Sequence, residues 1–498
     1  MNVNPITRLD YPDPDVIRVE DTYYMVSTTM HFMPGCEILQ SFDLVHWEHA
    51  TYVYETLDHT DAQQLKSGQN IYGQGMWAAS LRYHEGRFCI CFVANDTRKT
   101  YLYTSEKIDG PWKKQLIEGF YHDGSLLFDE DGRNYIVYGN DEIWITELNE
   151  DLTAPKKDGL HRLLVSDHKN PELGYEGSHI QKINGYYYIF LIHSLRDRWM
   201  RTEACFYSDS LEGEFTGGDV LCDDRGYCGQ GVAQGGIVDT PDGKWYAMLF
   251  QDSGAVGRIP ILLPVTWKDH FPFFGQNGHV PEEIEVHSTR PGYIYQPLVG
   301  SDDFCNGLLP RWQFNHDPDP RYYHLDALQG TYTITTREVC TELTQAVNTL
   351  TQRMSYPSCA AEVTVDASAL KEGDVAGLCA LQGCYAAVGI TKHHGKYEVL
   401  MLDKKEDGIL DMTERTVVES HQMDFRLEAD FCNMKDEARC YYRVNKGDWL
   451  PIGTVHKLYF KLDHFTGCRF GLFCYAAEET GGSACFRDFK YYDVDEIS

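Results

Sequence analysis

The sequence predicts an all-β chain in which a five-bladed β-propeller is followed by a β-sandwich domain. Its first 290 residues repeat one unit, which consists of an apolar strand, a tight turn with Gly or Asp, and an aromatic-rich strand. Few stretches show a helical period. The five copies open 64, 46, 53 and 59 residues apart, at Asp13, Trp77, Asp123, Glu176 and Gly235. All-β units of this length fit propeller blades of four strands, whereas a sandwich does not explain a period of about 55 residues.

The repeats stop before residue 290, and the remainder of the chain has a different pattern. We expect a propeller at 1–290, a linker at 291–301 that reads PGYIYQPLVG over most of its length, and a β-sandwich at 302–498. Short alternating segments such as GTYTITT and RFGLFCYA favour the sandwich. Two charged stretches, 404–416 and 433–440, are interpreted as solvated loops.

The charge and cysteine pattern excludes several classes of partner. With 44 Lys and Arg against 75 Asp and Glu, the net charge of −31 would repel nucleic acids and anionic membranes. The 16 cysteines are scattered without zinc-site spacing, which predicts reduced thiols and no bound metal. Because the opening MNVNPITRLDYPDPD lacks a secretory pattern, we expect a cytoplasmic protein, and a homo-oligomer formed through the sandwich is plausible.

Three acids occupy equivalent places in the repeat: Asp13, Asp123 and Glu176 open blades 1, 3 and 4. Because the innermost strands of a propeller line its axis, side chains at these places should converge at one mouth. Gathered carboxylates raise at least one pKa, and a pair with separated pKa values can act as acid and base. Glycoside hydrolysis uses such a pair. Singly, each acid could be only a turn former, a cap or a surface residue, but independent turn acids need not fall at equivalent positions.

Two further side chains are candidates for the same mouth. Trp77 opens blade 2, which favours a pocket position over the core position that a tryptophan more often takes. Arg258, in QDSGAVGRIP, could hold an active-site carboxylate or a sugar hydroxyl, or could pair with surface acids. His31, His122 and His179 are interpreted as structural hydrogen-bonding residues, because no HExxH-like spacing is present.

These motifs resemble glycoside hydrolase family 43, the β-xylosidases and α-L-arabinofuranosidases. The similar segments include NPITRLDYPDPDVIRVEDTYYMVST, HDGSLLFDEDGRNYIVYGN, YEGSHIQKINGYYYIF and the GAVGR motif. DDFCNGLLPRWQFNHDPDP, NTLTQRM and FTGCRFGLFCYA resemble the C-terminal sandwich of the xylosidase branch. The resemblance covers nearly the whole chain and implies a five-bladed propeller that inverts anomeric configuration.

The resemblance also implies roles for the three acids. The acid of YPDPD, Asp13, would be the general base that activates water. The acid of HDGSLLFDEDG, Asp123, would tune and orient the proton donor, and the glutamate of YEGSHI, Glu176, would be the general acid.

Four more residues take substrate-binding roles by the same resemblance. Arg258 would contact the sugar near the base, and Trp77 and Phe32 would form apolar walls of the sugar pocket. Phe465, in HFTG, is the candidate for an aromatic loop that the sandwich sends over the pocket. A pocket closed in this way would remove terminal sugars from short chains.

We therefore expect an exo-acting, inverting glycosidase that releases xylose, arabinose or both from short plant-cell-wall oligosaccharides, with no required cofactor. Many relatives hold an axial cation with a histidine before Gly-Gly of blade 5. Here Ala233 and Gln234 occupy these places, so calcium, another ion or water could fill the axial site. A non-catalytic carbohydrate-binding propeller and a retaining fructan-type enzyme stay open as alternatives. Retention requires carboxyl groups about 5–5.5 Å apart, and inversion about 6.5–9.5 Å.

Overall fold

The computed structural model describes residues 2–493, and it contains five four-stranded antiparallel sheets followed by two larger ones. The first strands of the five sheets contact one another in the order 1, 2, 3, 4, 5 and back to 1, which closes a ring of blades. The predicted five-bladed propeller and the sandwich after it are therefore confirmed. The blade strands, in chain order, are Asp15–Val19, Thr22–Val26, Gly35–Ser41 and Glu48–Tyr54 in blade 1; Met76–His84, Arg87–Ala94, Lys99–Ser105 and Lys113–Ile117 in blade 2; Ser125–Phe128, Asn134–Asn140, Glu142–Leu148 and His161–Ser166 in blade 3; Glu176–Ile183, Tyr186–Ser194, Arg201–Ser208 and Thr216–Leu221 in blade 4; and Val232–Asp239, Trp245–Asp252, Arg258–Lys268 and Phe271–Phe274 in blade 5.

Short turns join the first two strands in blades 2 and 4. Glu85–Gly86 and Asn184–Gly185 link the first two strands of blades 2 and 4, and all four residues have positive φ, as two-residue hairpins of right-handed twist require. The first strand of each blade thus leads away from one end of the propeller, and the second returns to it. We call this end the front face. It carries the residues that precede each first strand and the hairpins that join second strands to third strands.

The sandwich consists of an eight-stranded and a seven-stranded antiparallel sheet. In sheet order, the eight strands are Leu410–Val418, Lys396–Lys404, Tyr385–His393, Val375–Leu381, Arg469–Tyr475, Leu350–Arg353, Gln313–Asn315 and Phe32–Met33. The seven are Tyr323–Asp326, Thr331–Thr335, Ser483–Asp493, Ser358–Asp366, Gln422–Asp430, Glu437–Val444 and Leu450–Lys457. Asn2–Val3 pairs with Glu283–Ile284, and 3-10 turns lie at Lys66–Gly68, Gly254–Val256, Leu343–Gln345 and Cys432–Met434.

Both charged segments interpreted as loops contain strand, so that part of the sequence interpretation was wrong. Residues 410–416 belong to the edge strand Leu410–Val418, and residues 437–440 begin a strand that is paired on both sides. In Glu437–Val444 buried and more exposed side chains alternate, so the charged ones face solvent while the apolar ones face the core. Charge density alone does not separate such a half-exposed strand from a loop.

The propeller and the sandwich are joined by a shared sheet. Phe32–Met33, from the front face of blade 1, forms the last strand of the eight-stranded sandwich sheet by pairing with residues 314–315. A buried ion pair of 2.8 Å between Glu37 and Arg353 crosses the same interface. Ala255 and Val256 of blade 5 pack into the sandwich core. The sandwich is therefore a structural part of the front face.

All 16 cysteines are free, and none of the helical segments among residues 2–493 is long and apolar enough to span a membrane.

Candidate active site

The Pro12-Asp13-Pro14 turn brings one carboxylate to the front face of blade 1. Asp13 has a positive φ of 52° and is only 5% exposed. Its Oδ1 accepts a hydrogen bond of 2.7 Å from Nη1 of Arg258, and its Oδ2 accepts one of 2.6 Å from Oγ1 of Thr28. Both oxygens are thus oriented, and Oδ1 is paired with a cationic guanidinium.

A second group of titratable side chains lies where blades 3 and 4 meet. Oε2 of Glu176 accepts a hydrogen bond of 2.6 Å from Nδ2 of Asn140 and lies 3.5 Å from Nε2 of His122. Oδ2 of Asp123 accepts a 3.1 Å hydrogen bond from the backbone N–H of Gly177 and lies 3.6 Å from the same His122 nitrogen. Asp123 therefore holds the backbone next to Glu176, and His122 lies between the two carboxyl groups.

Asp123 and His122 both have raised pKa values in this group. Burial raises the pKa of Asp123 to about 6; the nearby His122 opposes this shift, while the charges of Glu176 and Asp13 reinforce it. The Asp123 carboxylate raises the pKa of His122 to about 9, with a further contribution from Glu176. At neutral pH His122 is an imidazolium, and the buried cluster can carry a proton on a carboxyl group under mildly acidic conditions.

Aromatic side chains close over this group from two domains. The Trp77 ring lies 5.5 Å from the Phe465 ring and 5.9 Å from the His122 ring, measured between centroids. The guanidinium carbon of Arg258 lies 4.5 Å from the centroid of the Phe465 ring. Phe465 belongs to the sandwich, so the sandwich covers the propeller mouth at the point where Arg258 holds Asp13.

Phe32, which the resemblance implies as an apolar wall of the sugar pocket, lies between the propeller and the sandwich. Its side chain is fully buried, and its ring centroid lies 3.5 Å from the guanidinium carbon of Arg469. Arg469 comes from the sandwich, so Phe32 forms part of the packing between the domains. Its contact with a sugar stays a prediction.

Six of the seven residues chosen from the sequence are thus connected through these contacts: the three acids Asp13, Asp123 and Glu176, together with Trp77, Arg258 and Phe465. The structure also adds three that the sequence reasoning did not assign: Thr28, His122 and Asn140. His122 directly precedes Asp123, and that adjacency was the one available signal. Thr28 and Asn140 reach their carboxylates from 15 and 36 residues away, through the blade geometry alone.

Among the described residues, His122, Asp123 and Glu176 are the group whose donor atoms, all within 4.8 Å of one another, could hold a metal ion. We assign no metal ion to this group. On the propeller axis, Asp15 already has cationic or hydrogen-bonding partners in Arg82 at 2.7 Å and His179 at 3.1 Å. That no calcium is needed beside Gln234 stays a prediction.

Comparison with known proteins agrees with this geometry. The model of Glycosyl hydrolases family 43 matches residues 3–272, and that of the Beta xylosidase C-terminal Concanavalin A-like domain matches residues 301–492. A Beta-xylosidase of Formosa agariphila is 27% identical over 99% of this chain and 89% of the relative. A non-reducing end alpha-L-arabinofuranosidase of Bacteroides ovatus is 25% identical over 66% of this chain and 63% of the relative.

Among solved structures, a bifunctional GH43-CE protein of Bacteroides eggerthii superposes with a TM-score of 0.92 at 42% identity, covering 99% of this chain. This chain spans 64% of that longer protein. The family match covers more than half of the chain and includes every carboxylate described above. The protein is therefore a member of glycosyl hydrolases family 43, a glycosidase that hydrolyses O-glycosyl bonds.

Proposed function

We propose that the protein is an exo-acting, inverting glycosidase that releases terminal xylose, arabinose or both from short oligosaccharides. One observation carries the proposal: Asp13, held by Arg258, shares a mouth with Glu176, which lies against His122 beside the buried Asp123. An inverting mechanism needs this asymmetry, a base on one side of the sugar and an acid on the other.

In the proposed reaction, Asp13 removes a proton from water as the water oxygen forms a bond to the anomeric carbon. The bond between this carbon and the leaving oxygen breaks, and the proton of Glu176 passes to that oxygen. Asp123 acts on Glu176 through its hydrogen bond to the Gly177 N–H. The products are the released sugar and the shortened chain, with one water consumed and both protons accounted for.

The closed form of the mouth supports removal of terminal sugars. Trp77 and Phe465 approach to 5.5 Å between ring centroids beside Arg258, which leaves little room for a chain to pass through on that side. The names of the relatives support pentosides, since one is a β-xylosidase and the other a non-reducing-end arabinofuranosidase.

Substitution of the proposed acid is the direct test. In Glu176→Gln, we expect kcat for aryl xylosides or arabinofuranosides with poor leaving groups to fall by about 10²–10⁴-fold, the range typical of general acid catalysis. Glu106→Gln changes an exposed glutamate of blade 2 and is the matched control, with activity expected to stay unchanged. Undiminished turnover in Glu176→Gln would refute the acid assignment.

Two alternatives give different results in the same assays. A carbohydrate-binding propeller would bind the pentose oligosaccharides but would not hydrolyse any of them. A retaining enzyme would hydrolyse them with the anomeric configuration preserved, through a covalent intermediate on the carboxylate that is not the proton donor.

A further inference from the structure

Trp199 is an exposed aromatic side chain beside the proposed proton donor. It is 45% exposed and lies in the hairpin 195–200 between the second and third strands of blade 4. Glu176 begins the first strand of the same blade, so both lie at the front face. Among residues 2–493, Trp199 is the only Trp, Tyr or Phe more than a third exposed in the front-face segments of the propeller.

The pairing register of blade 4 gives the approximate distance between Trp199 and Glu176. Glu176 is paired with Ile192, and Ile192 with Glu203, so the third strand lies two strand spacings, about 10 Å, from the first. The hairpin starts about two to three residues, or about 7–10 Å, beyond Ile192 toward solvent. Combined, the two offsets place Trp199 about 12–14 Å from the backbone of Glu176. This distance is longer than one pentose ring.

Packed side chains connect Trp199 to Arg258. The guanidinium carbon of Arg201 lies 5.5 Å from the Trp199 ring and 5.1 Å from the Phe250 ring, while its Nε lies 3.3 Å from the Asp252 carboxylate. The Phe250 ring in turn lies 5.3 Å from the guanidinium carbon of Arg258. Trp199 thus lies at the outer end of a continuous series of packed side chains that reaches the arginine holding Asp13.

We propose that Trp199 forms a subsite for the leaving part of the substrate and stacks on its second or third sugar. This inference rests on the proposed function, because the leaving chain departs on the side of the residue that protonates it. A flat, half-exposed indole ring offers an apolar face to the C–H face of a sugar, and Arg201 limits the orientations of the ring. The substrates favoured are linear pentose oligosaccharides of three or more units.

The test compares substrates of different length in Trp199→Ala and Trp199→Phe. For a tetrasaccharide, kcat/KM of Trp199→Ala should fall about tenfold, equivalent to about 1.4 kcal/mol, while Trp199→Phe should keep most of the activity. For an aryl pentoside and a disaccharide, both variants should stay within about twofold of the unchanged enzyme, because neither substrate reaches the subsite. Tyr83→Ala removes an equally exposed aromatic ring from the opposite end of the propeller and should change none of these values.

Equal losses on all substrates, or no loss on the tetrasaccharide, would overturn the subsite. If the unchanged enzyme cleaved no pentoside at all, the proposed function would fail, and the subsite would then be judged by calorimetric binding of the tetrasaccharide. Weaker binding to Trp199→Ala than to Tyr83→Ala would support a sugar platform, and equal binding would refute it.

Discussion

Acidification should weaken the contact between the propeller and the sandwich, because three histidines are buried there together. The ring centroid of His31, from blade 1, lies 4.8 Å from that of His316 and 5.0 Å from that of His464, both from the sandwich. Burial lowers the pKa of all three, that of His464 to about 3. Arg469 lowers the pKa of His31 and His464 further.

The sign follows from proton linkage. In the unfolded chain each histidine takes up a proton below a pKa of about 6.5, whereas in the folded protein burial opposes protonation of all three. The unfolded state therefore binds more protons as the pH falls, and the free energy of unfolding decreases below pH ~6.5. For His464, whose pKa in the folded protein is about 3, this loss amounts to about 2 kcal/mol at pH ~5, and His31 and His316 add losses of the same sign.

The assay is urea unfolding at pH 7.5 and pH 5 of the unchanged protein and of His31→Phe. Neither ring nitrogen of His31 has a hydrogen bond of ordinary geometry, and the neighbouring Asn315 keeps its hydrogen bond of 2.6 Å to Tyr72 when phenylalanine replaces the histidine. Between the two pH values, His31→Phe should lose less free energy of unfolding than the unchanged protein. His279→Phe, at a histidine whose side chain is 73% exposed, is the control. An acid loss in His31→Phe equal to that of the unchanged protein would refute the assignment of the effect to this cluster.

Two further predictions concern catalysis. In the unchanged enzyme, kcat/KM should decline below about pH 6 as Asp123 becomes protonated. In His122→Asn, this acidic decline should begin at higher pH, because loss of the imidazolium raises the pKa of Asp123. Profiles of kcat/KM against pH for both proteins check this, and an unchanged acidic decline would contradict it. Phe465→Ala should raise KM for aryl pentosides about three- to tenfold, because Phe465 covers Trp77 and Arg258 at the mouth. The urea midpoint should change little, since Phe465 is only partly buried. An unchanged KM would show that this ring does not close the pocket.

The sequence predicted the propeller because the spacing of a repeated hairpin is a property of the chain itself. It also located Asp13, Asp123 and Glu176, since equivalent repeat positions converge whatever the details of packing. Thr28 and Asn140 were missed because their contacts depend on how neighbouring loops fold back. The depth at which Phe32 lies likewise depends on a partner, Arg469, more than 400 residues away.

Local electrostatics were equally out of reach of the sequence. His122 was interpreted as a structural histidine, and its raised pKa follows from three carboxylates, Asp123, Glu176 and Asp13, of which only Asp123 is adjacent in the chain. Strands such as Leu410–Val418 were mistaken for loops because a charged outer face dominates their composition.

The configuration of the first sugar released tests most directly whether Asp13 activates water. Proton NMR during hydrolysis of a β-xyloside distinguishes α-xylose from β-xylose before the two anomers equilibrate. Direct attack by water predicts that α-xylose appears first. Initial release of β-xylose would mean that a carboxylate, and not water, attacks the anomeric carbon, and would contradict the role proposed for Asp13.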